Sequence, residues 1–146
     1  MARIQETVVI ARPVNEVFAF VANARDWPRW HSTMLEAEQT SPGEVGVGTT
    51  FQGVNREMGM RMAWTSKATE YEPGQKWGET ITSGAMLMQA SIMFEPLGAG
   101  TMLKMQYDMS VGGPLRLLAP VVTANMRGQM KGNLHRLKSI LEGRAP

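Results

Sequence analysis

Residues 4–11 (I-Q-E-T-V-V-I-A) place Ile4, Glu6, Val8 and Ile10 on one side of an extended chain. The β-branched content of this stretch predicts a strand. After Pro13, whose fixed φ suits a first helical turn, the period changes. Val14, Val17, Phe18 and Val21 recur at i, i+3, i+4 and i+7, one face of a helix. Asn23 can end that helix. Asp26 can cap a second, short one that admits Pro28 in its first turn.

The next segments read as strands separated by turns. A weak strand at 35–40 is followed by S-P-G-E at 41–44, then by strands at 48–54 and 60–71. E-P-G-Q at 72–75 turns the chain into 76–82, and P-L-G-A-G joins 86–95 to 101–110. From Leu115 the period is helical again. Leu115, Leu118, Val122, Met126, Met130, Leu134, Leu137 and Leu141 form one stripe. It runs for about 27 residues, or roughly 40 Å of helix. Pro120, Gly128 and Gly132 weaken it and could bend it. The order is strand, two short helices, about six more strands and a long terminal helix, with no repeat or linker. It predicts a single α+β domain over 1–146, one antiparallel sheet with its helices on one side.

That order resembles the START-like superfamily, also called SRPBCC, and within it the polyketide cyclase/dehydrase and lipid-transport branch. The resemblance spans the chain and rests on V-V-I-A-R-P-V-N-E-V-F-A-F-V at 8–21, D-W-P-R-W at 26–30, A-T-E-Y-E-P-G-Q-K at 68–76, F-E-P-L-G-A-G-T at 94–101 and L-H-R-L-K at 134–138. It implies a helix-grip fold: a curved sheet of six to seven strands wrapped around the C-terminal helix, with an apolar cavity between them. On that frame the two short helices close one end. Trp30 would wedge against the sheet and touch a ligand, while Trp27 would cover the outer side. The motifs specify the fold rather than a function, because the superfamily holds carriers, cyclases, hydrolase-like members and co-chaperone domains.

Strand parity then sorts side chains between faces. With the apolar face inward, the cavity side takes Met60, Met62, Trp64, Ser66 and Ala68 from one strand and Met86, Met88, Ala90, Ile92 and Phe94 from another. The last strand adds Leu103, Met105, Tyr107 and Met109, and Phe51 joins with uncertain parity. The helix adds Leu118, Val122, Met126 and Met130. The candidate ligand-binding set is Trp30, Phe51, Met62, Trp64, Met88, Met105, Tyr107, Val122 and Met126.

Composition explains how such a cavity could exist. The chain has 13 Met. A dry void of about 300 Å³ would cost roughly 7 kcal/mol, comparable to the whole stability of a domain. Unbranched, polarizable Met can collapse into the space and yield to a ligand. With 146 residues the chain can bury a core without staples, and it has no Cys. The N-terminus lacks the apolar core of a signal peptide and no run approaches a membrane span, so a soluble, cytoplasmic protein is expected. Net charge is only +2. The bases Arg116, Arg127, Lys131, Arg136, Lys138 and Arg144 read as a solvated helix face, and without interleaved aromatics they do not point to nucleic acid.

Signatures of nucleophilic, nucleotide or metal chemistry are absent. His31 and His135 are far apart, so no metal or other cofactor is expected. Three polar residues share parity with apolar neighbours: Glu6, Glu79 and Tyr107. A carboxyl in an apolar pocket could act as general acid or base, and a phenol could donate to an enolate oxygen. The simplest placement for Glu6 and Glu79 is near strand ends, in reach of water. The leading expectation is binding of an apolar or amphipathic small molecule. A cofactor-free cyclase or dehydratase acting on a carbonyl is the alternative, and an interaction module with a filled core, meeting a partner or a second copy as a homodimer, is the third.

Overall fold

The computed structural model describes residues 2–57, 59–84 and 86–143; Arg144 and the side chain of Leu115 lie outside that set. Seven strands form one antiparallel sheet: β1 (Ala2–Ile10), β2 (Met34–Gln39), β3 (Thr50–Glu57), β4 (Met60–Glu72), β5 (Lys76–Ser83), β6 (Met86–Leu97) and β7 (Gly100–Val111). Their order across the sheet is β1-β7-β6-β5-β4-β3-β2. Register shifts between Met34 and Glu36 in β2, and between Ala68 and Glu70 in β4, add bends to the normal twist. The sheet curls around α3 (Ala119–Leu141), with α1 (Val14–Val21) and α2 (Trp27–Trp30) at one end. This is the helix-grip fold.

The terminal helix is held at its far end by charge. Lys138 Nζ donates to the Val9 carbonyl at 2.6 Å and meets Glu142 at 2.8 Å. The same Glu142 carboxylate accepts from Ala11 N–H at 2.8 Å. A lysine in the last helical turn also suits the helix dipole. The predicted stripe is visible in burial: Met130, Leu134 and Leu137 are buried, and Val122 and Met126 half-buried. Leu118 departs from it. It belongs to a 3-10 helix at Gly113–Leu118 and is exposed, because Pro120 starts the α-helix only at Ala119. The helix then runs unbroken through Gly128 and Gly132.

Between the short helices the caps differ from expectation. α1 ends at Val21, and Asn23 instead caps a 3-10 turn at Ala24–Asp26, accepting from Arg25 N–H at 3.1 Å. Asp26 makes no side-chain cap to α2. The outward position expected for Trp27 is also overturned. Trp27 is buried, its indole N–H donates to the Val21 carbonyl at 2.7 Å, and its ring lies 4.9 Å from Phe51 and 6.0 Å from Trp77. Satisfying the indole N–H on α1 lets the ring body plug the end of the sheet.

Candidate functional site

The inner face is organised in cross-strand rows. One row runs Ala68, Glu79, Ala90, Tyr107 and Ile4, each pair directly opposite in register. The row on one side runs Phe51, Ser66, Ile81, Met88 and Met109. On the other side lie Tyr71, Trp77, Ile92, Met105 and Glu6. A polar pair, Glu79 and Tyr107, is thus set between two mainly apolar rows. Both neighbours of Glu79 in its own row are alanine, so a methyl stands where a longer side chain would fill the space. With strands ~4.8 Å apart, the Glu79 and Tyr107 backbones are about 10 Å apart, a gap that a bound group can bridge.

Glu79 sits mid-strand and is only 7% exposed, which overturns the water-reaching placement. Trp77 Nε1–H donates to its Oε2 at 2.7 Å. Successive strand residues point to opposite faces, so Trp77 and Glu79 share one. The buried Ser66 hydroxyl faces the same carboxyl from β4, close enough to favour its charged form but outside good hydrogen-bond geometry to any described residue. Burial pushes the Glu79 carboxyl up to about 7, against the opposing pull of Trp77 and Ser66. For Tyr107, burial first and then the charge on Glu79 hold the phenol well above its ordinary range. Around neutral pH the site therefore offers a phenol donor and a carboxyl that can either donate or accept.

Glu6 is not part of this arrangement. It faces Met105 on the edge strand, three strands or about 14 Å from Glu79, and is half-exposed. Met88, Met105, Trp64 and Phe51 are buried on the inner face. Met62 is 36% exposed and stands at the rim. Trp64 lies flat over Gly53, whose missing side chain makes the space, and donates to Asn55 Oδ1 at 2.9 Å. Trp30 is buried and stacks on His31 with ring centroids 3.9 Å apart; its indole N–H has no partner among the described residues. His31 is held down to about 4 by burial. It lies against Asn133 of α3, whose Oδ1 accepts from Ser32 N–H at 2.9 Å. His135 is exposed on α3. Trp27 was missed as a site residue, since a four-residue helix has no period that orients its side chains.

The outer face carries a different feature. Thr50, Gln52, Thr65, Lys67, Thr80 and Thr82 line an open groove of about 520 Å³. It is a hydroxyl surface with a single cation, and the buried carboxyl points away from it.

A curved sheet gripping a long helix, with a polar pair set in an apolar inner face, fits a ligand-binding or cyclase role. The chain belongs to the family described as polyketide cyclase / dehydrase and lipid transport, whose model matches residues 1–142. Solved structures share the fold at low identity. A protein from Thermus thermophilus superposes with a TM-score of 0.84 at 16% identity, covering 99% of this chain and 100% of that one. The Zhui aromatase/cyclase from Streptomyces sp. R1128 gives 0.80 at 15%, covering 99% and 96%. A START superfamily protein from Mycobacterium smegmatis gives 0.75 at 16%, covering 97% and 95%. These relatives agree with the SRPBCC assignment. No curated protein matches this chain.

Proposed function

We propose that the protein takes up an apolar or amphipathic small molecule, of lipid, isoprenoid or polyketide-like chemistry, between the sheet and α3. The molecule carries one hydrogen-bonding group, which seats between Glu79 and Tyr107. The supporting observation is the alanine-flanked, buried carboxyl in an otherwise apolar face. A buried carboxyl is costly unless its partners are supplied, and here Trp77 supplies one well-formed bond while the nearby Ser66 hydroxyl makes none of good geometry. A ligand carbonyl or hydroxyl would complete the set. Met88, Met105 and Met126 provide the deformable wall, changing rotamers as the ligand enters.

A second reading uses the same pair. A carboxyl near 7 is matched to proton transfer at neutral pH. The Tyr107 phenol, kept protonated, could stabilise an enolate oxygen on a carbonyl substrate. That chemistry is a cofactor-free cyclisation or dehydration.

Native mass spectrometry of protein purified without detergent, followed by denaturing extraction, tests the location. The wild type should carry a discrete mass on the order of a few hundred daltons, the size of a pocket-filling ligand. The Met88→Trp, Met126→Trp double variant should be folded and empty. Equal loading of both proteins would rule out the space between the sheet and α3 as the site.

A further inference from the structure

At one end of the molecule β3 turns into β4, and the 3-10 helix leads into α3. Apolar side chains there are left uncovered by the fold: Leu117 is 81% exposed, Met60 67%, Val121 65% and Leu118 52%. They come from two separate segments. Gln129 Nε2 of α3, about two turns beyond Val121, donates to Glu57 Oε2 at the end of β3 at 3.2 Å, which ties the helix to that end of the sheet. Single exposed leucines are ordinary on protein surfaces, but a group of them is a mark of an interaction site. On α3 Val121 and Ala124 are exposed three residues apart, on one face, and Leu117 and Leu118 continue the exposed surface on the 3-10 helix before it. The exposed surface turns basic at Arg127 and Lys131.

The charges around this end have a matching pattern. Arg56, Arg61, Arg116 and Arg127 are exposed, and none has an ion-pair partner among the described residues. Arg56 and Arg61 stand directly opposite each other across β3 and β4. Like charges in that position repel, so the pair is stabilised only when an anion joins it. Glu57 is engaged by Gln129, and Glu36, which faces Val54 from β2, pairs with neither arginine. The surface offers uncovered apolar side chains fringed by unpaired guanidinium groups. An anionic bilayer has the complementary layout, with acyl chains beneath and phosphates at the level of the fringe.

We propose that this end of the molecule docks on an anionic lipid bilayer. Leu117, Leu118, Val121 and Met60 enter the boundary between headgroups and acyl chains, and Arg56, Arg61, Arg116 and Arg127 meet lipid phosphates. The docked end is also where α3 is only half-buried, at Val122 and Met126. An apolar molecule could pass there between bilayer and inner face without crossing water. The docking itself does not depend on what the inner face binds.

Co-sedimentation of the full chain with vesicles tests it. One set is phosphatidylcholine alone and the other phosphatidylcholine mixed with phosphatidylglycerol. The wild type should pellet with the mixed vesicles, far less with the neutral ones, and less as salt is raised. Leu117→Ser with Val121→Ser, and separately Arg56→Glu with Arg61→Glu, should each reduce binding about tenfold or more. These side chains are exposed, so circular dichroism and Tm should stay at wild-type values. Wild-type protein that pellets with neither vesicle overturns the proposal, as does unchanged binding in both variants. A homodimer in sedimentation velocity that Leu117→Ser with Val121→Ser dissociates, with no vesicle binding, would reassign the patch to a second copy of this chain and also overturn it.

Discussion

Trp77 and Glu79 lie two residues apart on the inner face of β5, and the indole N–H of the first donates to the carboxyl of the second at 2.7 Å. That bond, together with the nearby Ser66 hydroxyl, does not offset the cost of burying the carboxyl, so Glu79 keeps its proton up to about pH 7. The consequence for stability has a definite sign. A carboxyl whose folded pKa is raised from 4.5 to about 7 contributes stability that is fully present below the lower value and is lost as pH rises through the upper one. The loss over that window is about 3 kcal/mol. Urea unfolding of a His31→Phe variant, which lacks the opposing slope of the buried imidazole, should show this decline between pH 4.5 and 7. Glu79→Gln should remove it.

His31 acts in the opposite sense. Burial lowers it from 6.5 to about 4, so its contribution is present above the higher value and is lost as pH falls toward the lower one. In the overlap of the two windows the slopes partly cancel in the wild type. His31→Phe keeps a ring against Trp30 and removes the opposing slope, so stability should fall more steeply with rising pH than in the wild type. Chemical unfolding across pH in each single variant separates the two.

Gly53 is opposite Trp64, and a Cβ there would collide with both the indole ring and the Glu36 carbonyl. Backbone on one side and a packed ring on the other leave little room to shift. Gly53→Ala should therefore lower stability by about 2 kcal/mol. It should also move the Trp64 emission as the ring is displaced. Calorimetry and fluorescence read the two effects.

Gly128 and Gly132 carry the reverse prediction. Both lie inside α3, and a Cβ at either would meet nothing within 4 Å. Each Gly→Ala change should raise stability by about 0.5–1 kcal/mol through helix propensity. Thermal unfolding of the single and double alanine variants checks the size and additivity.

Much of the fold was legible because its signals are periodic. β-branched alternation gave the strands, and the terminal stripe from Val122 to Leu141 gave α3. Parity alone put Glu79 and Tyr107 on the apolar face. It did not reveal that they share a row, because the register across β5, β6 and β7 is set by the two turns that join them. It also grouped Glu6 with Glu79, though β7 and β6 lie between their strands. Trp27 was misplaced for a related reason. Its direction is set by a tertiary hydrogen bond to Val21, which no local pattern encodes. Leu118 followed the helical period but fell in the 3-10 lead-in before Pro120.

The most direct test of the inner-face site uses methionine methyl groups as reporters. Protein with 13C-methyl Met is titrated with 2-naphthol, an apolar bicycle bearing one hydroxyl, and with naphthalene. Met88, Met105 and Met126 are on the inner side, while Met93 and Met102 alternate to the outer face. The account predicts that 2-naphthol shifts the inner methyls and leaves the outer ones in place, that naphthalene binds more weakly, and that Glu79→Ala removes the difference. Shifts confined to Met93 and Met102, or a response to 2-naphthol that survives unchanged in Glu79→Ala, would contradict it.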